Sequence, residues 1–297
     1  MVHGPDVVGA DGSREPLLPR GWLWPGVILV ALIAVLYHSI LALLVQDWWD
    51  DPNFSHGFLI PVFSGFVVWH ERKRLVQLPV SPSWLGLPVI AASLGVLIVG
   101  VLGAELFLSR SSFLFLLAGL VIYFLGWNYF RAIIFPWGFL FLMIPIPAII
   151  FNRIAFPLQL VASRLASALL ELTGVPVLRE GNVIQLPAML LEVAEACSGI
   201  RSLMSLLALA VIYAYFLEPK TCRRVLLAVA AVPIAVMANG MRVVGTGLMV
   251  HWWDPEKALG FFHTFSGWVI FVVSLGMLFL VHGAMRLIGR WRRTGAS

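Results

Sequence analysis

Charge is scarce in this chain. Only 12% of its 297 residues are Asp, Glu, Lys or Arg, while 60% are hydrophobic and the mean hydropathy is +0.94. Such a composition excludes an ordinary soluble domain. Cysteine is scarcer still: Cys197 and Cys222 are the only two, too few for a disulfide framework. The topology derived below puts them on opposite membrane faces, so they cannot pair with each other. No HExxH pair, no GxSxG and no paired aspartates in apolar runs occur, which removes the sequence support for other membrane-protease chemistries. Metal-ligand spacing is missing as well, and no cofactor is expected. No ten-residue alternating strands argue for a barrel.

Apolar runs of about 20 residues, enough to cross ~30 Å of hydrocarbon, recur along most of the chain. In lipid each backbone polar group must be satisfied within its own segment, so these runs predict helices. The expected fold is an all-α polytopic membrane protein of about eight spans: 22–45, 54–70, 84–103, 112–128, 131–150, 200–217, 224–247 and 265–286. Residues 1–21 read as a disordered cytoplasmic tail, 22–289 as one membrane domain and 290–297 as a basic cytoplasmic tail. The first run is too long for a signal-peptide core and lacks a small-residue cleavage site, so it reads as a retained helix. Pro136, Pro145 and Pro147 must kink or terminate the fifth run. No internal repeat is evident, which weakens readings built on inverted transporter repeats.

Basic residues mark the orientation. With the amino terminus inside, the inner segments hold 13 of the 20 basic residues against five acids, and the outer segments hold seven against ten. Both termini are therefore expected on the cytoplasmic side. Trp48, Trp49, Trp252 and Trp253 then fall at the outer interface, where aromatic belts are found. The longest stretch between spans, 151–199, is expected outside. Its first half repeats apolar residues at helical spacing (Phe151, Ile154, Leu158, Val161, Leu165, Leu169), which predicts an amphipathic helix on the outer leaflet. The second half carries short β-type runs around "REGN" and predicts a small hairpin leading into Cys197.

Three chemically capable groups arrive at similar depth on the outer side. Cys197, in "EVAEACSGIRSL", starts the sixth span, where terminal N–H groups and the helix dipole favour a thiolate. Arg201 is one turn further along the same face and adds to that effect. Ser198 is its neighbour, and Gly199 leaves room for another backbone. Arg242, in "MANGMRVVGTG", lies within the seventh span. An arginine there costs ~2.5–3.5 kcal/mol on insertion scales unless it is paired or hydrated. Asn239 precedes it by three residues and could hold the guanidinium. His263, in "FFHTFSGW", enters the eighth span, and His56, in "FSHGF", is a rival for any imidazole role. Each has a plainer reading: the cysteine as a small packing residue, the arginine snorkelling to headgroups, the histidines as interfacial side chains. Together, thiol, imidazole and guanidinium form a complete set for acyl transfer. The competing class is a multi-pass transporter or flippase for an anionic lipid or glycan, with Arg242 as the headgroup ligand.

"VAEACSGIRSL", then "NGMR", then "HTFSGW", with the early "WWDDPNFSHGFLIP", resembles the exosortase/archaeosortase family over about residues 46–286. The resemblance implies an eight-span membrane cysteine transpeptidase. Cys197 would be the nucleophile, Arg242 the conserved-type arginine and His263 the histidine. It implies substrates that end in a short PEP-type motif, a membrane helix and a basic tail, and transfer to a cell-surface acceptor. The expected setting is the inner membrane of a bacterium with exopolysaccharide production, the active site facing the periplasm. Glu192 and Glu195 flank the cysteine without an assigned role.

Overall fold

The computed structural model describes residues 23–193, 199–253 and 261–294, with side chains throughout except at 23, 199–202, 261–264, 266 and 289–294. Two units make up the chain, 1–43 and 44–297. Of the first, residues 23–43 are described; they form the body of helix α1 (Leu23–Asp50), which is apolar on every side. Trp24, Val27, Val30, Leu32 and Val35 stand exposed along it, as suits a helix whose solvent is lipid.

The second unit takes up the end of α1 and continues through α2 (Leu59–His70), a single turn α3 (Arg72–Leu75), α4 (Gly86–Leu102), α5 (Leu106–Phe124), α6 (Trp127–Phe139) and α7 (Ala148–Leu172). Three short strands follow: β1 (Leu178–Glu180), β2 (Val183–Gln185) and β3 (Leu190–Glu192). Then come α8 (Gly199–Leu217), α9 (Thr221–Trp252) and α10 (Phe261–Thr294). Every expected span has a helix in it, and the protein is an all-α polytopic membrane protein with one small sheet. Among the described residues five helices are long and apolar enough to cross a membrane: α1, α5, α7, α9 and α10. Shorter apolar helices include α4 and most of α8.

The fifth expected run, 131–150, is broken. Helix α6 passes through Pro136, tightens into a 3-10 turn at Leu140–Met143, and the chain is extended at Ile144 before α7 begins after Pro147. The cause is local: Pro145 and Pro147 offer no N–H, and each disfavours helical backbone at the residue before it. The helix expected over 151–172 is present and starts three residues earlier. Its packed face (Ala155, Ala162, Ala166, Leu170) is made of small and aliphatic residues and lies along α9, with Gly240 facing Leu165 and Gly247 facing Leu170.

The expected hairpin exists and gains a third strand. β1 and β2 pair antiparallel around Gly181–Asn182, with Glu180 opposite Val183. Gly181 has φ +63°, which a two-residue turn with glycine first requires. β2 and β3 pair with Ile184 opposite Leu191. Ile184, Leu191 and Val193 point into a core with Leu170 of α7 and Val243 and Val250 of α9. The sheet therefore covers the C-terminal half of α9.

Helices α4 and α5 form an antiparallel hairpin joined by small residues. A Cβ at Gly100 would lie 2.6 Å from the Ser109 hydroxyl, and one at Gly119 would lie 2.7 Å from Ile90. Without a hydrophobic drive between helices in lipid, such backbone approach supplies the contact energy. The remaining helices, α8, α9 and α10, pack on one another around Leu206, Ala210, Leu227, Ala231, Ile234 and Leu278.

Candidate active site

Helix α8, which begins within the cysteine motif, packs with α9 and α10, which carry the arginine and histidine motifs. Helix α8 begins at Gly199, immediately after the "ACS" of the cysteine motif; Cys197 and Ser198 lie outside the described residues, as does Glu195. Arg201 lies in the first turn of α8 and His263 in the first turn of α10, and their backbones are helical as expected. The α8–α9 connection is short, from Leu217 to Thr221. Counting back along α8 and forward along α9 by equal rises of ~1.5 Å per residue sets Gly199 level with Asn239.

Arg242 lies one turn above that level and is buried, with 7% of its surface exposed; Asn239 is equally buried. Its guanidinium reaches α10 at Gly267: a methyl group at that glycine would sit 3.5 Å from Nη2 and 3.7 Å from Cζ. His263 precedes Gly267 by one turn in the same helix. Val243 and Val244, next in sequence, belong to the core with α7 and the sheet. Helix α9 thus turns an aliphatic face to the sheet and its cation toward α10.

His56 has another setting. It occupies a 3-10 turn, Ser55–Phe58, is buried, and its Nε2 lies 3.2 Å from the Leu142 carbonyl. The acidic, Trp-rich motif around it forms a corner. The Trp48 indole N–H donates to the Met143 carbonyl at 2.8 Å, and Asp47 pairs with the buried Arg110 at 2.7 Å. Phe58 meets the Trp48 ring edge-on at 5.2 Å. Asp51 accepts from the Asn53 N–H at 2.8 Å, an Asx turn that folds the chain back before α2. Glu192 ends β3 with its side chain exposed.

A second polar cluster has no counterpart among the expected site residues. Glu218, just past α8, is buried, and its Oε1 lies 2.7 Å from Nε2 of His282 in α10. His282 Nδ1 lies 2.6 Å from the hydroxyl of Tyr213 in α8. A carboxylate only accepts, so Nε2 carries the proton toward Glu218, while Nδ1 shares a hydrogen bond with the Tyr213 hydroxyl. Arg223 Nη1 stands 3.6 Å from Oε2, and Arg224 Nε donates to the Glu218 carbonyl at 2.6 Å. Burial pushes the Glu218 carboxyl up. The His282 hydrogen bond and the Arg223 charge outweigh it and hold the group below its ordinary value of 4.5. Sequence carried one signal for this cluster: a histidine inside an apolar span needs a partner.

The long apolar helices make this a multi-pass membrane protein, and Arg242 is buried where two of them, α9 and α10, meet. Against protein-family models, residues 48–280 match the one described as transmembrane exosortase. The chain belongs to that family. The searches of curated proteins and of solved structures give no match.

Proposed function

We propose that the protein is an integral-membrane cysteine transpeptidase. It cleaves the C-terminal sorting signal of exported proteins and passes them through a thioester to a cell-surface acceptor. The observation that carries this reading is the packing of α8, α9 and α10, with Arg242 against Gly267, one turn from His263 and about one turn from the level at which α8 starts. Family membership supports a sorting role; the residue roles rest on chemistry.

In this mechanism the Cys197 thiolate attacks the scissile carbonyl carbon, and the negative charge moves to its oxygen. The Arg242 guanidinium, fixed by burial, stabilises that oxyanion. Collapse breaks the C–N bond, His263 gives a proton to the leaving amine, and a thioester remains. An acceptor nucleophile then surrenders its proton to His263, attacks the thioester and releases the thiolate. Asn239 holds the arginine's surroundings, and Arg201 favours the thiolate. Substrates carry a short motif, a membrane helix and a basic tail, so they approach laterally with the motif on the periplasmic face of the inner membrane.

The test is substrate processing by Cys197→Ser and Cys197→Ala in membranes where the variants accumulate normally. Loss of cleavage, with a thioester trapped on the parent, supports the reading. Processing that survives Cys197→Ser but fails in Arg242→Ala points instead to a transporter or flippase that uses the arginine for an anionic headgroup.

A further inference from the structure

We propose that Tyr213, His282 and Glu218 are positioning residues: their hydrogen-bonded chain sets the axial register of α10 against α8, and so the height at which His263 and the Gly267 contact stand against Arg242 and the start of α8. The inference rests on the transpeptidase reading above.

The chain joins two helices that run in the same direction. From Tyr213 back to Gly199, at the start of α8, the rise is about 21 Å, and from His282 back to Gly267 it is about 22 Å, at 1.5 Å per residue. Fixing Tyr213 against His282 therefore fixes Gly199 and Gly267 to within about one turn of the same height. Gly267 is where α10 meets Arg242. One face of α10 carries the whole arrangement: Gly267, then buried Ser274, Leu278 and His282 at intervals of seven, four and four residues.

The apolar contacts cannot fix that height by themselves. The core between α8, α9 and α10 is built from Leu, Ala and Ile. Sliding one such seam past another exchanges similar contacts, and in lipid no hydrophobic term opposes the slip. A polar chain with buried members behaves differently, because a slip leaves the buried Glu218 carboxylate and His282 imidazole unpaired and parts the half-buried Tyr213 hydroxyl from its partner. Specifying register is the best attested role of buried polar groups in helical packing. The Tyr213–His282–Glu218 bonds are 2.6 and 2.7 Å long, with Glu218 anchored further by Arg223 and Arg224. They lie about four turns from the reacting groups, so they touch no substrate.

The experiment measures maleimide alkylation of Cys197 against pH in the full-length protein, reconstituted in vesicles in a Cys222→Ser background. The midpoint of that profile reports the charges around the thiol. His282→Ala is expected to move the midpoint upward and slow alkylation at pH 7 by about tenfold, since a slip of α10 carries His263, with the proton it holds in the proposed mechanism, away from the thiol, and losing a nearby cation raises a thiol pKa by ~1 unit or more. Glu218→Gln keeps an acceptor for Nε2 and should retain the parent profile. Tyr213→Phe removes the last link with little change of volume, and should shift the profile in the same direction as His282→Ala. Arg242→Ala separates the two levels of argument. If it leaves the profile unmoved, the transpeptidase site itself is wrong. If it moves the profile while His282→Ala and Tyr213→Phe do not, the positioning role is overturned. Should His282→Ala fail to accumulate, Tyr213→Phe decides alone.

Discussion

Gly267 offers a direct trial of where the Arg242 guanidinium acts. A Cβ at this position would meet Nη2 at 3.5 Å and Cζ at 3.7 Å, ordinary van der Waals distances. Gly267→Ala therefore fits without displacing anything, and alanine in place of a helical glycine adds up to ~1 kcal/mol of helix stability. Processing by this variant should stay within about threefold of the parent, because a contact at normal separation costs little. Gly267→Phe is different. Long helical side chains lie back over the preceding turn, here the turn between Gly267 and His263, so the ring claims the space beside the guanidinium. A displacement of ~1 Å at a reacting group is worth about 10²-fold in rate, and full removal of an oxyanion donor about 10²–10³-fold. Gly267→Phe should then approach the defect of Arg242→Ala, while Arg242→Lys keeps the charge and loses the planar fork. The assay is conversion of a membrane-anchored substrate by equal amounts of each variant in the same membranes, with thermal unfolding followed in parallel. Parent-like turnover by Gly267→Phe, with Arg242→Ala still inactive, would refute the reasoning: the guanidinium would then work from somewhere other than the α10 contact.

Other outcomes follow from the packing. Asp47→Ala strands Arg110, which is only 2% exposed, and should cost about 1–3 kcal/mol in chemical or thermal unfolding. The cost falls short of a fully buried pair because the Asp47 side chain is 37% exposed, and Asp47→Leu with Arg110→Met should recover much of it. Gly100→Val forces side-chain atoms into the Ser109 backbone, where a Cβ would already be 2.7 Å from the amide nitrogen. Overpacking of this kind should cost about 1–3 kcal/mol, against little for Gly95→Val in the same helix, where nothing lies within 4 Å. The depressed Glu218 carboxyl stabilises the fold fully above its ordinary value of 4.5, and that contribution is lost as pH falls through the lower folded value. The unfolding temperature should drop in that acid window, and Glu218→Gln, which has no proton to gain, should lack the step.

Much of the architecture was legible because membrane folding is dominated by one rule. Apolar length and internal backbone satisfaction force helices, so α1, α9 and α10 fall where hydropathy puts them, while α5 starts six residues before the expected 112–128 and ends at Phe124. The "REGN" turn was legible through its glycine, and the break near 144–147 through its prolines. Less legible were interactions that depend on who packs against whom. His56 carries the same chemistry in the sequence as His263, yet its Nε2 is engaged with the Leu142 carbonyl. Nothing in the periodicity of 148–172 says that its small-residue face meets Gly240 and Gly247. The third strand is not legible in the sequence, because "MLLEV" reads as well for a buried helix start as for a strand.

By itself the sequence determined the helical, multi-pass character of the protein, its charge asymmetry and the order of its cysteine, arginine and histidine motifs. Those properties depend on transfer free energies and local backbone chemistry, which each segment carries alone. Only the tertiary structure decided that Arg242 meets α10 at Gly267, and that Tyr213, His282 and Glu218 close a chain between helices some 70 residues apart in sequence. Contacts of that kind arise when smooth apolar surfaces choose one register among several nearly equal ones, and that choice is a property of the packed whole.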